Sequence, residues 1–239
     1  MTSFILHIIA IFTMLLDHMW GTSVVQSEIF TCIGRLAFPI FAFMVVEGFF
    51  HSSDRKKYIK RMFIFALISE IPFNLMVSMR IINPFHQNVL WTFLIALLLM
   101  QWNEKHKSKD DIVKMFFIIL GTMVVGGLLG IITCVDYNAA GILTVLTFYY
   151  FKERKWFNYL LQLILMYFIN FKVLGGIGWD LSVAGINFFL PQQSIALLAL
   201  IPIWLYNGKQ GPYNKIIKNI YWWFYPVHML VLVLIANIF

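Results

Sequence analysis

Ionisable side chains stand inside apolar runs of this chain. Asp17 and His18 close ILHIIAIFTMLLDHMW, Arg35 and Glu47 interrupt CIGRLAFPIFAFMVVEGFF, Glu70 interrupts FIFALISEIPFNLMV, and His228 lies within WWFYPVHMLVLVLIANIF. A charge at bilayer depth costs at least about 2.5–3.5 kcal/mol, so such groups face a polar interior, pair with one another and mark function. An imidazole near a carboxylate can take a proton from an incoming hydroxyl or amine. A guanidinium at similar depth can stabilise an oxyanion. The candidates for this chemistry are His18 as general base, Asp17 orienting it, Arg35 as electrostatic stabiliser or site organiser, and His228 as a second base. Structural alternatives stand beside each role. Asp17 can neutralise Arg35, and His18 can be a hydrogen-bonding histidine of the membrane interface. Adjacent helical residues point about 100° apart, so Asp17 and His18 cannot both face one centre.

Further polar groups extend the constellation. Glu47, Glu70, Asn74, Asn88, Asp136 and Asn138 are candidates to line a substrate cavity. Glu47, beside His51, can equally be a carboxylate solvated at the inner interface. Glu70, just before Pro72, can bond backbone groups freed by the proline, or Arg35. Trp222, Trp223 and Tyr221 read as an interfacial aromatic belt. There is no GxxxxGK[ST] phosphate loop and no HExxH, and no clustered Cys/His spacing suggests a metal site. Cys32 and Cys134 abut apolar segments and read as small buried residues rather than a disulfide.

The elements that must position these residues are membrane helices. Of 239 residues, 61% are hydrophobic and 12% charged, about half the charge of an average soluble domain, and the mean hydropathy is +0.80. Too little polar surface remains to coat a water-soluble globule. A span needs about 17–25 mostly apolar residues, and spans are expected near 4–22, 28–50, 57–79, 86–102, 112–132, 136–151, 156–172, 191–206 and 219–238. The expected fold is all-α: a single polytopic transmembrane bundle over 1–239 with about nine spans. The stretch 173–190, with its glycines and Asp180, suits a re-entrant or surface segment more than a tenth crossing. The N-terminus lacks the basic region and small-residue cleavage site of a signal peptide, so the first run is expected to remain as a helix. Gly126 and Gly130 form a GxxxG expected to pack helices tightly.

The net charge of +7 is not a nucleic-acid footprint, because it sits in short loops. In the nine-span layout, loops 51–61, 103–114, 152–155 and 207–218 carry fifteen of the eighteen basic residues on one face. Only Arg80 and Lys172 fall opposite, with Arg35 in the membrane. The positive-inside rule makes the basic face, and with it the N-terminus, cytoplasmic. These loops also read as contacts for anionic lipid heads. The expected location is the inner or plasma membrane, crossed several times.

With these residues in place the chain resembles the TraX family of membrane proteins, named for the F-pilin acetylase of conjugative plasmids. The resemblance runs nearly end to end. It is carried by IIAIFTMLLDHMW (8–20), IGRLAFPIFAFMVVEGFFHS (33–52), RKKYIKRMFIFALISEIPFNL (55–75), QNVLWTFLIALLL (87–99), DYNAAGIL (136–143), ALIPIWLYNGKQG (199–211) and WWFYPVHMLVLVLI (222–235). The combination of LDH, GRLAFPIFAF-x₃-EGFFH and FYPVHM is specific. The resemblance implies acyl transfer with acetyl-CoA as donor. It also links the chain to a broader transmembrane acyltransferase group, including the lysosomal heparan N-acetyltransferase, in which a histidine in the outer half of the bundle serves the reaction. His18 is the position that corresponds. The word acyltransferase comes from this resemblance alone.

On that reading the basic inner face holds the polyanionic donor, with Arg55, Lys56, Lys57 and Arg61 as candidate contacts and loop 207–218 adding to them. The acceptor, a glycan, lipid-linked molecule or peptide, enters from the outer face or from lipid. An oligomer is compatible with the sequence. The rival reading is a proton-coupled transporter, since intramembrane histidines and carboxylates also build proton relays; the lack of a visible inverted repeat weighs against it. A purely structural scaffold explains the buried charges poorly.

Overall fold

The computed structural model describes residues 1–107, 111–183 and 185–238. Helices dominate: α1 (Ser3–Gly21), α2 (Glu28–Gly34), α3 (Ala37–His51), α4 (Arg55–Ser78), α5 (Val89–His106), α6 (Ile112–Ile132), α7 (Asn138–Tyr150) and α8 (Trp156–Tyr167), which continues as a π-helical stretch, Phe168–Leu174. A β-hairpin follows, then a 3-10 helix, Gln192–Ala199, then α9 (Leu200–Trp204) and α10 (Lys215–Ile238). Polar caps start several of them. The Asp54 carboxylate accepts from the Lys57 amide at the start of α4, Asn88 from the Leu90 amide at α5, and Asp111 from the Lys114 amide at α6. Each cap satisfies an amide that the helix itself leaves open. α7 begins differently, with Tyr137 and Asn138 both at positive φ.

Among the described residues, six helices are long and apolar enough to cross a membrane: Ser3–Gly21, Glu28–His51 (α2 and α3 together), Arg55–Ser78, Ile112–Ile132, Trp156–Leu174 and Lys215–Ile238. The expected spans at 86–102, 136–151 and 191–206 exist as helical segments but do not reach that standard. α5 ends in the polar residues NEKH, α7 has 13 residues, and the last segment is a 3-10 helix joined to a five-residue α-helix. α7 succeeds at this length because other helices surround it. Ala140, Gly141, Ile142 and every residue from Thr144 to Tyr149 are buried.

The stretch 173–190 is not a helical crossing. β1 (Gly178–Val183) and β2 (Ile186–Pro191) pair antiparallel, Gly178 opposite Pro191 and Val183 opposite Ile186. The all-α expectation therefore needs this one amendment. The core forms where α3 and α7 meet their neighbours, with Leu6, Ile40, Val46, Phe49, Leu97, Met100, Ile142, Leu146 and Phe148 fully enclosed. The GxxxG does pack helices. A Cβ on Gly126 would sit 2.9 Å from Ile142, and one on Gly130 would sit 2.5 Å from the Asn138 carbonyl oxygen.

The two ends of the bundle are chemically distinct. At one end the Ser3 and Phe4 amides donate to the carbonyls of Lys209 (2.9 Å) and Gln210 (3.0 Å). There Arg154 donates to the Tyr206 carbonyl at 2.6 Å, Arg55 pairs with Glu104 at 3.7 Å, and Lys152 lies 3.2 Å from the centre of the Phe50 ring. The N-terminus and the basic connections are thus held together. Lys109, counted with them from sequence, lies outside the described residues. At the other end the Gln87 amide donates to the Cys134 carbonyl at 2.9 Å, and His86 meets Asp136 at 3.4 Å.

Candidate functional site

His18 and His228, 210 positions apart, meet in a hydrogen bond of 2.7 Å between His18 Nδ1 and His228 Nε2. The second nitrogen of His228, Nδ1, lies 2.7 Å from the Phe224 carbonyl oxygen one turn earlier in α10. A carbonyl only accepts, so Nδ1 of His228 carries the proton and its Nε2 is the acceptor. In the neutral pair His18 therefore donates from Nδ1, and its Nε2 keeps a free lone pair. That is the tautomer a general base needs. His228 is only 5% exposed, and Phe224 stacks on its ring with centroids 4.8 Å apart. The rotamer that presents Nε2 to His18 is thereby held.

Asp17 takes the other option open to it. Its Oδ1 lies 3.5 Å from Arg35 Nη2, each side chain about one-fifth exposed, and no hydrogen bond joins Asp17 to His18 among the described residues. The contact with His18 expected of Asp17 is not formed; His228 stands in that place instead, because the 100° offset on α1 sends Asp17 toward α2 when His18 faces α10. Gly34 permits this approach. A Cβ there would fall 2.3 Å from the Asp17 Cβ. Arg35 is further held by Thr31 Oγ1 (2.5 Å) and Gln193 Oε1 (3.4 Å), and Gln193 donates to Asn170. Among the described residues the Arg35 Nε is buried without a partner.

A cavity of about 490 Å³ runs from the basic end of the bundle into its interior between α1, α3, α4, α5 and α10. Its basic-end lining includes Glu47, His51, Arg61 and Lys218; its far end is closed by Met14, Leu90, Phe224 and Tyr225. Neither histidine of the pair lines it directly. Met14 precedes His18 by one helical turn, about 6 Å along the axis, and the Tyr225 ring lies 6.5 Å from the His18 ring and 5.9 Å from that of His228. The nitrogen pair thus sits one side chain beyond the cavity's end. Among the described residues, two polar atoms of the lining are buried and unpartnered: Arg61 Nε and the Tyr221 hydroxyl.

The remaining sequence candidates separate clearly. Glu47, 3.7 Å from His51, lines the cavity together with Arg61. Arg55 does not join them. It is engaged by Glu104 and the Phe49 carbonyl and lies over the Phe49 ring. Lys56 and Lys57 are exposed, and Lys57 pairs with Asp54 at 3.2 Å. Glu70 accepts from Asn88 Nδ2 and from Trp91 Nε1 (2.9 Å), so this carboxylate ties α4 to the start of α5 rather than reaching Arg35. Asn74 donates to the Ile81 carbonyl at 3.3 Å and closes the end of α4. Asp136 meets His86, in the connection ahead of α5; this hydrogen bond raises the His86 pKa above its ordinary 6.5 against the opposing effect of burial, and the charges of Asp136 and Glu70 add to the rise. Asn138 is exposed at the start of α7. Glu70, Asn74, Asn88 and Asp136 therefore hold contacts at helix ends, and neither they nor Asn138 line the cavity.

Sequence reasoning missed His7 and misassigned Tyr221. The two rings stack face to face in the cavity wall, centroids 3.9 Å apart. His7 was visible as an imidazole within the first apolar run. Tyr221 belongs to this wall rather than to an aromatic belt, since α10 turns it toward α1.

The TraX protein family model matches residues 3–236. The probable fimbrial assembly protein FimC, serogroup H1, of Dichelobacter nodosus is 35% identical over 108 residues, covering 41% of this chain and 44% of that protein. The matched part is thus less than half of the relative's length. No solved structure matches. A match over nearly the whole length, on the segments that assemble the histidine pair and the cavity, places this chain in the TraX family.

Proposed function

We propose that this protein is a membrane acetyltransferase that moves an acetyl group from cytosolic acetyl-CoA to a hydroxyl or amine of a glycan, lipid-linked or peptide acceptor at the outer face. The observation that carries the reading is the His18–His228 pair, tautomerically poised as a base, one side chain beyond a cavity that opens at the basic end of the bundle. Membership of a family named for a pilin acetylase supports the reaction class. Nine passages with the N-terminus and basic loops on the cytoplasmic side accompany this reading. The contacts gathering residues 1–4, 55, 104, 154 and 206–210 at one end support that topology.

In this scheme Arg61 and Lys218 hold the donor's phosphates, and the cavity leads its thioester arm toward Tyr225. His18 Nε2 takes the proton of the acceptor O–H or N–H as that atom bonds to the thioester carbonyl carbon. The C–S bond then breaks, and His18 returns the proton to the leaving thiolate. His228 holds the His18 tautomer and shares the positive charge as it develops. Arg35, with an uncommitted Nε–H, is the donor for the oxyanion; such a donor is commonly worth about 3–4 kcal/mol. The test is purified protein with radiolabelled acetyl-CoA and envelope extract. Time-dependent thiol release and label transfer, both lost in His18→Ala, support an enzyme. Substrate flux across proteoliposomes without acetylation would assign a transporter instead.

A further inference from the structure

A second hollow lies away from the histidine pair. It is a groove of about 630 Å³ between α5 and α6, lined by Leu99 and Trp102 on α5 and by Lys114, Phe117, Ile118, Gly121, Thr122 and Val125 on α6. The Thr122 hydroxyl is turned inward, bonded to the Ile118 carbonyl (2.7 Å) and Asn103 Oδ1 (3.2 Å), so the groove wall is apolar along most of its length. Gly121 leaves it open; a Cβ there would meet nothing within 4 Å. One cation stands at one end. Lys114 belongs to the first turn of α6, beside Trp102, whose ring stacks on His106 at 4.5 Å. That end is the basic end of the bundle, since Glu104, two residues from Trp102, pairs with Arg55.

From Lys114 to Val125 the α6 axis rises about 16 Å, close to the roughly 15 Å thickness of the hydrocarbon of one leaflet. A groove one leaflet long, apolar along its walls, with a lysine and a tryptophan at its headgroup end, has the dimensions and charge of an anionic phospholipid. The Asp111 carboxylate, one turn before, is occupied in capping the Lys114 amide at 2.8 Å, and no salt bridge to Lys114 is formed among the described residues. Among the described residues the charge at this end of the groove is carried by Lys114. We propose that this groove is a binding site for one anionic phospholipid of the leaflet on the basic side of the protein. One acyl chain lies along Phe117, Gly121 and Val125, and the phosphate sits on Lys114. The inference stands on the groove alone and does not depend on the acetyltransferase reading.

The experiment places the whole protein in nanodiscs of equal phosphatidylglycerol and phosphatidylcholine, extracts it into mild detergent, and counts retained lipid by native mass spectrometry. The expected result is one phosphatidylglycerol per chain, retained about fivefold over phosphatidylcholine, the factor one basic residue near the surface contributes toward an anionic lipid. Lys114→Gln should abolish the preference while leaving acyl occupancy. Gly121→Leu should remove retention of both lipids, and unchanged thermal stability would show that it still folds. Equal retention of the two lipids by the unaltered protein, meaning ordinary annular lipid only, overturns the proposal. So does a preference that survives Lys114→Gln.

Discussion

At the scale of residues, the proposed chemistry rests on one proton position. His228 donates to the Phe224 carbonyl and so must accept from His18. His228→Ala removes that acceptor, and turnover of acetyl transfer should fall about 10²- to 10⁴-fold, the usual worth of a positioned proton-transfer system. The KM for the donor should barely move, because His228 does not line the cavity; a steady-state comparison of kcat and KM checks this. Asp17 and Arg35 serve a different purpose. Asp17→Asn leaves the guanidinium without its counter-charge and should cost about 1–3 kcal/mol of stability. If the two act as a pair, the double variant with Arg35→Gln will cost less than the sum of the singles, read as denaturation midpoints in a double-mutant cycle. Of the site residues, the histidines were legible as buried ionisable groups. Their mutual hydrogen bond was not, since nothing in two helices 210 positions apart states which faces meet.

At the scale of elements, close approach is set by glycines and by ties between helix ends. Gly34→Ala would place a methyl 2.3 Å from the Asp17 Cβ, which α1 and α2 can relieve only by separating. A loss of about 1–3 kcal/mol is expected for overpacking of this kind, and transfer activity should fall with it as His18 shifts. The contact between the 79–88 connection and the start of α7 depends on pH. The His86 pKa is raised in the folded protein, chiefly by its hydrogen bond to Asp136. The folded state therefore binds the proton more tightly than the unfolded chain. The resulting stabilisation is complete below pH 6.5, the ordinary value, and is lost as pH rises through the elevated folded value. Thermal melts taken upward from pH 6.5 should show this decline, and His86→Gln should flatten it. The hairpin at 178–191 shows why element type was only partly legible. Gly175, Gly176 and Asp180 argued against a membrane helix, but the pairing of Trp179 with Leu190 and Leu181 with Phe188 depends on register across the turn.

At the scale of the whole molecule, the cavity is the feature that unites distant segments. Residues from α1, α3, α4, α5, α10 and the 207–213 connection enclose it. It is reached at the end where the N-terminal backbone is bonded to residues 209 and 210. If that end faces the cytoplasm, a cysteine at exposed Lys56 should react with an impermeant maleimide only from inside. One at exposed Asp180 should react only from outside. The opposite pattern would reverse the proposed orientation and the side from which a donor enters.

Much of the class was already determined by composition. A chain this apolar has to bury its backbone polar groups in helices within lipid, and it has to gather its few intramembrane charges away from the hydrocarbon. Those two constraints identified Asp17, His18, Arg35, Glu47, Glu70 and His228 as buried ionisable groups, and loop charge separated the two faces. Partner choice was decided only by the fold. Asp17 chose Arg35 over His18, Glu70 chose Asn88 and Trp91, and Arg55 turned to Glu104 while Arg61 alone of its basic cluster reached the cavity. The physical reason is common to all of these. Burial cost depends on a residue's type and can be read along the chain, whereas a hydrogen bond depends on the rotation of each helix about its own axis, which is fixed only when the helices pack.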